Sequence, residues 1–144
     1  MVYVNRKYRG NRSTVYWGAI ILDWFEQLNT SGLNKTDYRT MFFICSNIDI
    51  QNNTAYLKQV QIADGLHTDK GNISKSIKHL IDLQFITKVE NGFMVNPHLF
   101  YVGKARAGDR YYLREEFDGY LEKKKEKRIY EMDEESGTLI VHKK

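Results

Sequence analysis

Cysteine, proline and long apolar runs are scarce or absent in this 144-residue sequence. The single cysteine, Cys45, cannot form an internal disulfide, so a reducing cytosol is the natural compartment. The single proline suits a largely helical chain with few rigid turns. Because there is no run of about 18 apolar residues, we expect no membrane span. The first residues also lack the apolar core and cleavage site of a signal peptide. We therefore expect a cytoplasmic protein without a membrane partner.

Nothing in the sequence matches a catalytic or metal-binding pattern. The chain has no phosphate-binding loop for ATP and no Cys/His cluster with zinc spacing. None of its ten tyrosines has an evident activating partner. The four histidines are scattered and never form the His-x-His pair with which rolling-circle nickases hold a metal: His67, His79, His98 and His142. We therefore predict a non-enzymatic protein with no catalytic residue, no metal site and no cofactor.

Charge is the first positive signal, and it is concentrated at the N-terminus. The whole chain has 22 basic and 18 acidic residues, a balance of +4 that is only a weak indication of nucleic-acid binding. Residues 1–16, in contrast, contain no acid and four cations: Arg6, Lys7, Arg9 and Arg12. This segment fits either an arm that contacts DNA phosphates or a terminus that aids solubility. We assign it to a basic arm and its four cations to phosphate contacts.

Apolar residues recur at helical spacing in three segments of the first half of the chain. The first predicted helix covers residues 15–29 and buries Trp17, Ile20, Ile21, Trp24, Phe25 and Leu28. The second begins after an N-cap at Thr36 or Asp37 and places on one face Tyr38, Met41, Phe42, Cys45 and Ile48. The third is short and contains Val60, Ile62, Ala63 and Leu66. Such stripes favour a protein core over a cofactor pocket.

The segment 69–83 predicts an amphipathic helix with a basic outer side. Asp69 is a suitable N-cap, and the apolar face consists of Ile73, Ile77, Leu80 and Ile81. The side away from the core carries Gly71, Asn72, Lys75 and Lys78. Asn91-Gly92 follows between two short apolar segments, which is a strong signal for a β-hairpin over residues 85–95.

The spacing also fits a helix-turn-helix. The first helix of that motif needs a small residue where the second helix crosses it, and Ala63 stands at this position. About ten positions later, the second helix needs an apolar residue that anchors it against the first, and Ile73 stands there. The turn usually holds glycine four positions after the small residue, because glycine adopts a left-handed backbone cheaply. His67 stands there, so either the turn has another shape or His67 accepts that conformation. With the hairpin added, the pattern predicts a winged helix-turn-helix.

DNA contacts follow from this arrangement. The N-terminal part of a recognition helix reaches base edges in the major groove, where asparagine pairs with adenine and lysine with guanine. We predict base contacts by Lys70, Asn72 and Lys75. Phosphate or wing contacts, besides those of the arm, are predicted for Gly71, Ser74, Lys78, Lys88 and Asn91. The N-terminus of the helix is itself expected to attract a phosphate.

Residues 105–144 predict a C-terminal extension with a helix and a terminal strand. The helix is indicated by Tyr111, Tyr112, Leu113, Phe117, Tyr120 and Leu121. A basic cluster then follows: Lys123, Lys124, Lys125, Lys127 and Arg128. It fits a second phosphate site or, because Glu122 and Glu126 interleave, a solvated helix face, which we favour. The segment "GTLIVH" predicts a strand that pairs with a neighbour or a second subunit. Because this apolar surface has no place in a minimal domain, we assign the extension to a homodimer interface.

Two stretches resemble the Firmicute plasmid replication protein family of the RepL type: "TMFFICSNIDIQNN" and the chain from Thr68 to the end of "NPHLFYVGK". The similar order is a helix ending in a "SNID"-like segment, a helix-turn-helix, a wing, and a motif formed here by Asn96, Pro97, Leu99, Phe100, Gly103 and Lys104. The resemblance covers about residues 37–104. It implies a plasmid- or phage-borne DNA-binding protein that acts at a replication origin.

The predicted fold is mainly α with a small β-hairpin wing. It comprises the arm 1–16, a winged helix-turn-helix domain over 17–104, and the extension 105–144. The predicted function is sequence-specific binding of double-stranded DNA by an initiator that binds its origin and recruits host replication proteins. Two alternatives stay open, a transcriptional repressor with the same surface and a protein-interaction adaptor built on the winged helix. The expected location is the bacterial cytoplasm, on the nucleoid or a plasmid.

Overall fold

The structure, a computed structural model, describes residues 18–49, 51–102, 107–133 and 135–142. Outside these ranges lie six of the arm and motif positions and one predicted core aromatic: Arg6, Lys7, Arg9, Arg12, Gly103, Lys104 and Trp17. The described chain contains five helices and three small antiparallel sheets. With 47% helix and 19% strand, the fold is mixed α/β. The prediction of a mainly α protein with one hairpin is therefore wrong.

A strand replaces the start of the first predicted helix. β1 (Gly18–Ile20) pairs antiparallel with β5 (Phe100–Val102), so α1 is shorter than predicted and covers Asp23–Thr30. The two strands approach so closely that a Cβ on Gly18 would lie 2.5 Å from the Phe100 ring. Only glycine fits at that position without displacing the ring. Helical spacing carries no information on this contact, because the partner strand is distant in sequence.

The second helix begins earlier than predicted. α2 (Lys35–Ser46) has Asn34 as its N-cap, not Thr36 or Asp37. The Asn34 side chain accepts a hydrogen bond from the Asp37 amide at 2.8 Å, and the Asn34 amide donates to the Asp37 carboxylate at 3.0 Å. This reciprocal capping box places Asp37 inside the first turn. Phe42, expected on the buried face, is 60% exposed.

Two further helices have bounds close to the predicted ones, α3 at Gln59–Leu66 and α4 at Lys70–Asp82. α4 packs against both α2 and α3. His67 ends α3 in a left-handed conformation with φ 50° and ψ 46°. The Thr68 amide donates to the Ala63 carbonyl at 3.0 Å across the turn. The second of the two alternatives for His67 is therefore correct: the histidine accepts the conformation that glycine usually provides.

A three-stranded sheet lies beside these helices in the order β2-β4-β3. The strands are β2 (Thr54–Ala55), β3 (Ile86–Val89) and β4 (Gly92–Val95). The predicted hairpin is confirmed, but the paired ends of β3 and β4 leave Glu90-Asn91 as its turn. Gly92 instead lies within β4, where a Cβ would be 2.2 Å from the Ala55 carbonyl oxygen. The glycine thus permits the close approach of β2.

The sheet is covered on both faces. On one face, Phe93 and Val95 belong to the main core, which also contains the buried residues of α1 to α4. On the other face, Met94 packs with residues of α5 (Ala107–Lys123), namely Leu113, Phe117 and Leu121. The α5 helix therefore completes the burial of β4. This contact buries three apolar residues of the predicted extension, whereas Tyr111 and Tyr112 on the same helix are exposed.

The chain ends in a hairpin of β6 (Tyr130–Met132) and β7 (Leu139–Val141). The predicted terminal strand therefore pairs with a neighbour in its own chain. Tyr130 is 4% exposed, and its ring stacks on Phe85 with the ring centroids 5.7 Å apart. Part of the apolar surface that favoured a dimer interface is therefore buried within one chain, whereas Ile140 and Val141 of β7 are exposed. The homodimer itself stays a prediction.

Candidate nucleic-acid interface

The α4 helix has one face in the core and one in solvent. Ile73, Ile77 and Leu80 are at most 2% exposed and belong to the main core. Ser76 is buried with them, although the spacing of apolar residues did not indicate it. All the predicted contact residues of this helix are exposed: Lys70, Gly71, Asn72, Ser74, Lys75 and Lys78. The structure thus brings these six together on the solvent side of a single helix.

This exposed surface is cationic in its middle. The basic residues Lys70, Lys75 and Lys78 are distributed along α4. The two carboxylates of the segment lie at its ends, Asp69 before the helix and Asp82 at its last position. Asp69 is therefore offset by the adjacent Lys70, and the central turns present only positive charge. A convex cationic surface of this kind attracts a polyanion such as DNA.

A buried carboxylate fixes how α4 sits on α2. Asp37 is 2% exposed, and its Oδ2 lies 2.8 Å from His79 Nδ1. Burial alone would raise the pKa of Asp37, but hydrogen bonds from Ser76, from the Asn34 amide and from His79 outweigh it and lower the pKa. Because both helices share this acceptor, the rotation of α4 about its axis is fixed. The choice of residues that face solvent follows from that rotation.

The N-terminus of α4 is occupied by its own cap. Asp69 is the N-cap, as predicted, and its carboxylate accepts a hydrogen bond from the Asn72 amide at 3.1 Å. A phosphate at the same position would meet this carboxylate at short range, where like charges repel. The phosphate site expected from the helix terminus is thus opposed by Asp69. A phosphate contact near the start of α4 would therefore have to come from side chains.

A cationic side chain that the sequence did not single out lies near this turn. Arg39 on α2 reaches the turn between α3 and α4, where its Nη2 donates to the Leu66 carbonyl at 2.9 Å. Its Nη1 lies 3.5 Å from the Thr68 hydroxyl, and the residue is exposed. These partners are 27 and 29 residues further along the chain. No local pattern links such distant positions, so sequence spacing gives no signal for Arg39.

The hairpin places its two predicted contacts in different surroundings. Lys88 is exposed on β3, with its Nζ 4.8 Å from the ring centroid of its cross-strand partner. Asn91 lies at the turn and lines a polar cleft of about 290 Å³ together with Glu90, Glu116 and Tyr120. Burial and then these two carboxylates raise the pKa of Tyr120. Local charge therefore favours a phosphate contact by Lys88 and disfavours one by Asn91.

A buried amide anchors the C-terminal extension next to the end of α4. Gln84 has φ 60°, and its Nε2 donates to the Lys127 carbonyl at 2.8 Å. Its Oε1 accepts from the Ile129 amide, also at 2.8 Å. The Asn96 side chain donates in turn to the Gln84 carbonyl at 2.8 Å. Gln84 therefore pairs with the backbone of residues 127–129 much as a neighbouring strand would.

His98 ties the same extension to the segment after β4. Its Nδ1 accepts a hydrogen bond from the Met132 amide at 3.0 Å, so in this arrangement the ring proton lies on Nε2. Nε2 lies 3.0 Å from the Asp118 carboxylate, to which it donates. The His98 amide donates to the Asn96 side chain at 2.9 Å. Asn96, a motif residue of the resemblance, thus has a structural role next to His98.

Two of the five cations in the basic cluster at the end of α5 pair with acids. Arg128 bridges to Asp118 at 3.0 Å and to Glu131 at 3.5 Å. Lys124 lies 3.8 Å from Glu126. These pairs neutralise part of the charge that a phosphate would need. They weaken the case for a second phosphate site. The predicted helix face is not found, however, because α5 ends at Lys123 and the other four cations lie beyond it.

The residues that the structure describes include no group of three or more metal-ligating side chains. Within the same residues, no helix is long and apolar enough to cross a membrane.

These features define a mixed α/β protein with an exposed cationic helix fixed on a packed core. Comparison with protein families identifies it further: the chain matches the Firmicute plasmid replication protein (RepL) family over residues 2–144. The chain therefore belongs to this family of plasmid replication proteins. The match is wider than residues 37–104, on which the resemblance rests, so it includes both the arm and the extension. No curated protein and no solved structure matches the chain.

Proposed function

We propose that this plasmid replication protein binds double-stranded DNA at a replication origin, with α4 as its recognition helix. The observation that carries the proposal is the division of α4 into two faces. Lys70, Asn72 and Lys75 are exposed in its N-terminal half, while Ile73 and Ile77 hold the opposite side in the core. Lysine and asparagine are side chains that pair with guanine and adenine in the major groove. A helix of this kind is a suitable reading element.

The surroundings of α4 support a winged helix-turn-helix arrangement. α2, α3 and α4 pack together, and the β3–β4 hairpin follows α4 directly. Ala63 is 7% exposed and belongs to the same cluster as Ile73, in agreement with a close crossing of α3 and α4. In helix-turn-helix proteins the second helix enters the major groove. Lys88 would then contact a phosphate as the wing residue.

The family supports an initiator over a repressor as the role of this surface. A protein that only recognises the origin needs no catalytic group of its own. We therefore propose that host replication proteins, recruited to the bound origin, carry out the phosphodiester chemistry and the unwinding. Base contacts would specify the site, while phosphate contacts would position the protein on it.

Alanine substitution on the exposed face of α4 tests the proposal. Asn72→Ala and Lys75→Ala should each weaken binding to a fragment carrying the plasmid's own origin by about 1–3 kcal/mol, with a much smaller effect on random DNA. Lys78→Ala should weaken both by similar factors, because a phosphate contact carries no sequence information. The free energy of unfolding should change by about 0.5 kcal/mol or less in all three variants.

Lys127→Ala serves as a control, because it removes one exposed cation from a different part of the chain. It should bind the origin fragment as the parent protein does. If Asn72→Ala and Lys75→Ala also bind that fragment like the parent, α4 is an ordinary amphipathic helix and the proposal is wrong.

A further inference from the structure

We infer that Arg39 contacts the DNA backbone and holds the phosphate next to the turn between α3 and α4. This inference rests on the proposed function and extends the interface from α4 to α2. The ligand is a phosphodiester group of double-stranded DNA. No sequence pattern and no family description assigns this residue.

The turn needs a cation if a phosphate is to lie beside it. The Asp69 carboxylate already accepts the Asn72 amide at the start of α4 and repels a second anion there. The Thr68 hydroxyl is directed to the Leu66 carbonyl at 3.1 Å. Arg39 has its guanidinium group at this place, 2.9 Å from the same carbonyl. It can neutralise both the carbonyl end of α3 and an incoming phosphate.

The Arg39 side chain is held in position before any ligand arrives. The Leu66 carbonyl belongs to the last turn of α3, where carbonyls lack intrahelical partners and the helix dipole favours a cation. A guanidinium has five N–H donors in a fixed planar arrangement. Contacts to Leu66 and Thr68 use a minority of them, and the residue is exposed. Little side-chain entropy is therefore lost when the remaining donors bind a phosphate.

The location also suits a backbone contact. Thr68 directly precedes the N-cap of α4, so a guanidinium beside Thr68 lies next to the end of α4 from which Lys70 and Asn72 project. In helix-turn-helix complexes the first helix of the motif crosses the DNA backbone while the second lies in the groove. A phosphate held at the turn would fix how far the start of α4 enters the groove. Arg39 would thus set the register in which the base contacts form.

Salt dependence of DNA binding separates a phosphate contact from a merely structural one. Arg39→Ala should make the negative slope of log affinity against log salt shallower by about 0.9, the value for one neutralised phosphate. The ratio of parent affinity to Arg39→Ala affinity should therefore be about 3.5-fold larger at roughly 50 mM salt than at roughly 200 mM. The change in slope should be the same on the origin fragment and on random DNA, because one phosphate contact is lost on either. Arg39→Lys should keep the slope, and Lys127→Ala, which removes the same charge elsewhere, should also keep it.

A second measurement locates the phosphate. Single methylphosphonate substitutions along the origin fragment each remove one backbone charge. A methylphosphonate at one position should weaken DNA binding by the parent protein and by Arg39→Lys. The same substitution should not weaken DNA binding by Arg39→Ala any further. The melting temperature of each variant is measured alongside, because Arg39 also braces the turn. A weaker Arg39→Ala with a lower melting temperature, the parent's salt slope and the parent's methylphosphonate profile would overturn the inference, since Arg39 would then act only on the fold.

The outcomes for this inference and for the proposed function differ. If the parent protein binds DNA and Arg39→Ala binds with an unchanged slope, only the role of Arg39 is refuted. If the parent protein binds neither the origin fragment nor random DNA, the proposed function fails and this inference fails with it.

Discussion

Replacement of Phe117 by alanine tests whether the C-terminal extension is part of the fold. The Phe117 side chain is fully buried on α5 and packs with Leu113, Leu121 and Met94. Replacement of a buried phenylalanine by alanine costs about 3–5 kcal/mol through lost burial and the cavity that is left. For a chain of this length each kcal/mol lowers the melting temperature by roughly 4 °C. We therefore expect Phe117→Ala to lower it by roughly 12–20 °C.

Tyr112→Ala is the matched control. It removes an aromatic ring from the same helix, but Tyr112 is 70% exposed. An exposed substitution of this kind changes stability by about 0.5 kcal/mol or less. Urea unfolding should be followed both by circular dichroism, which reports all helices, and by tryptophan fluorescence, to which Trp24 of the main core contributes. In the parent, in Phe117→Ala and in Tyr112→Ala, the two signals should change in one shared transition.

Two separate transitions would refute this reasoning. If Phe117→Ala shifts only part of the circular dichroism signal and leaves the fluorescence transition unchanged, α5 unfolds on its own. The boundary near residue 104 would then be a domain boundary, as the sequence predicts. A stability loss below about 1 kcal/mol would equally show that the contact between Phe117 and Met94 contributes little.

Two further predictions concern acid stability and catalysis. The pKa of Asp37 lies below its ordinary value of 3.8. The ionised carboxylate therefore stabilises the fold fully at pH values above 3.8, and this stabilisation is lost as the pH falls through the lowered pKa. The difference in unfolding free energy between the parent and Asp37→Asn should therefore shrink as the pH falls from about 5 to below 3.8, and a constant difference would contradict the role of this carboxylate. The purified protein, incubated with a supercoiled plasmid that carries its gene and origin and with magnesium or manganese, should produce no nicked circles. Nicked product with a covalent tyrosine adduct would show an enzyme after all.

The features predicted correctly are those that depend on neighbours in the chain. The N-cap at Asp69 and the bounds of α4 follow from residues within one or two turns of one another. The exposed and buried faces of α4 follow from the same short spacing, since a helix repeats about every 3.6 residues. The β3–β4 hairpin has its signal in two adjacent residues. Local rules suffice for such elements.

The strands that changed the fold class depend on distant partners. β1 pairs with β5, and β2 pairs with β4, across long stretches of chain. β2 contains only Thr54–Ala55, too short for any alternation of polar and apolar residues to be visible. Gly92 illustrates the difficulty, because its neighbour Asn91 makes it look like a turn residue. Its actual constraint is the Ala55 backbone, a contact that the sequence does not display.

The residues of the candidate interface also fall into two groups, those with a local sequence signal and those whose partners are distant in sequence. Its exposed lysines and Asn72 were predicted from α4 alone. Arg39, Asp37 and Gln84 were missed in these roles because their partners lie on other elements. Arg39 and Asp37 look like ordinary residues of an amphipathic helix, and Gln84 looks like a residue of the break after α4. Their importance comes from the packing of whole elements, which no window of a few residues contains.

If α4 binds DNA as proposed, its anchors would let the extension affect that binding without touching DNA. Asp37 fixes α4 on α2 through His79, and Gln84 fixes the chain just after α4 on residues 127–129. A reading element must be held within a fraction of an ångström for its base contacts to form together. The two anchors restrain α4 at the side and at its end, so Lys70, Asn72 and Lys75 would meet the groove as one rigid set. Loss of the Gln84 contact would then weaken recognition of the origin more than binding to random DNA, since phosphate contacts tolerate small displacements that paired base contacts do not.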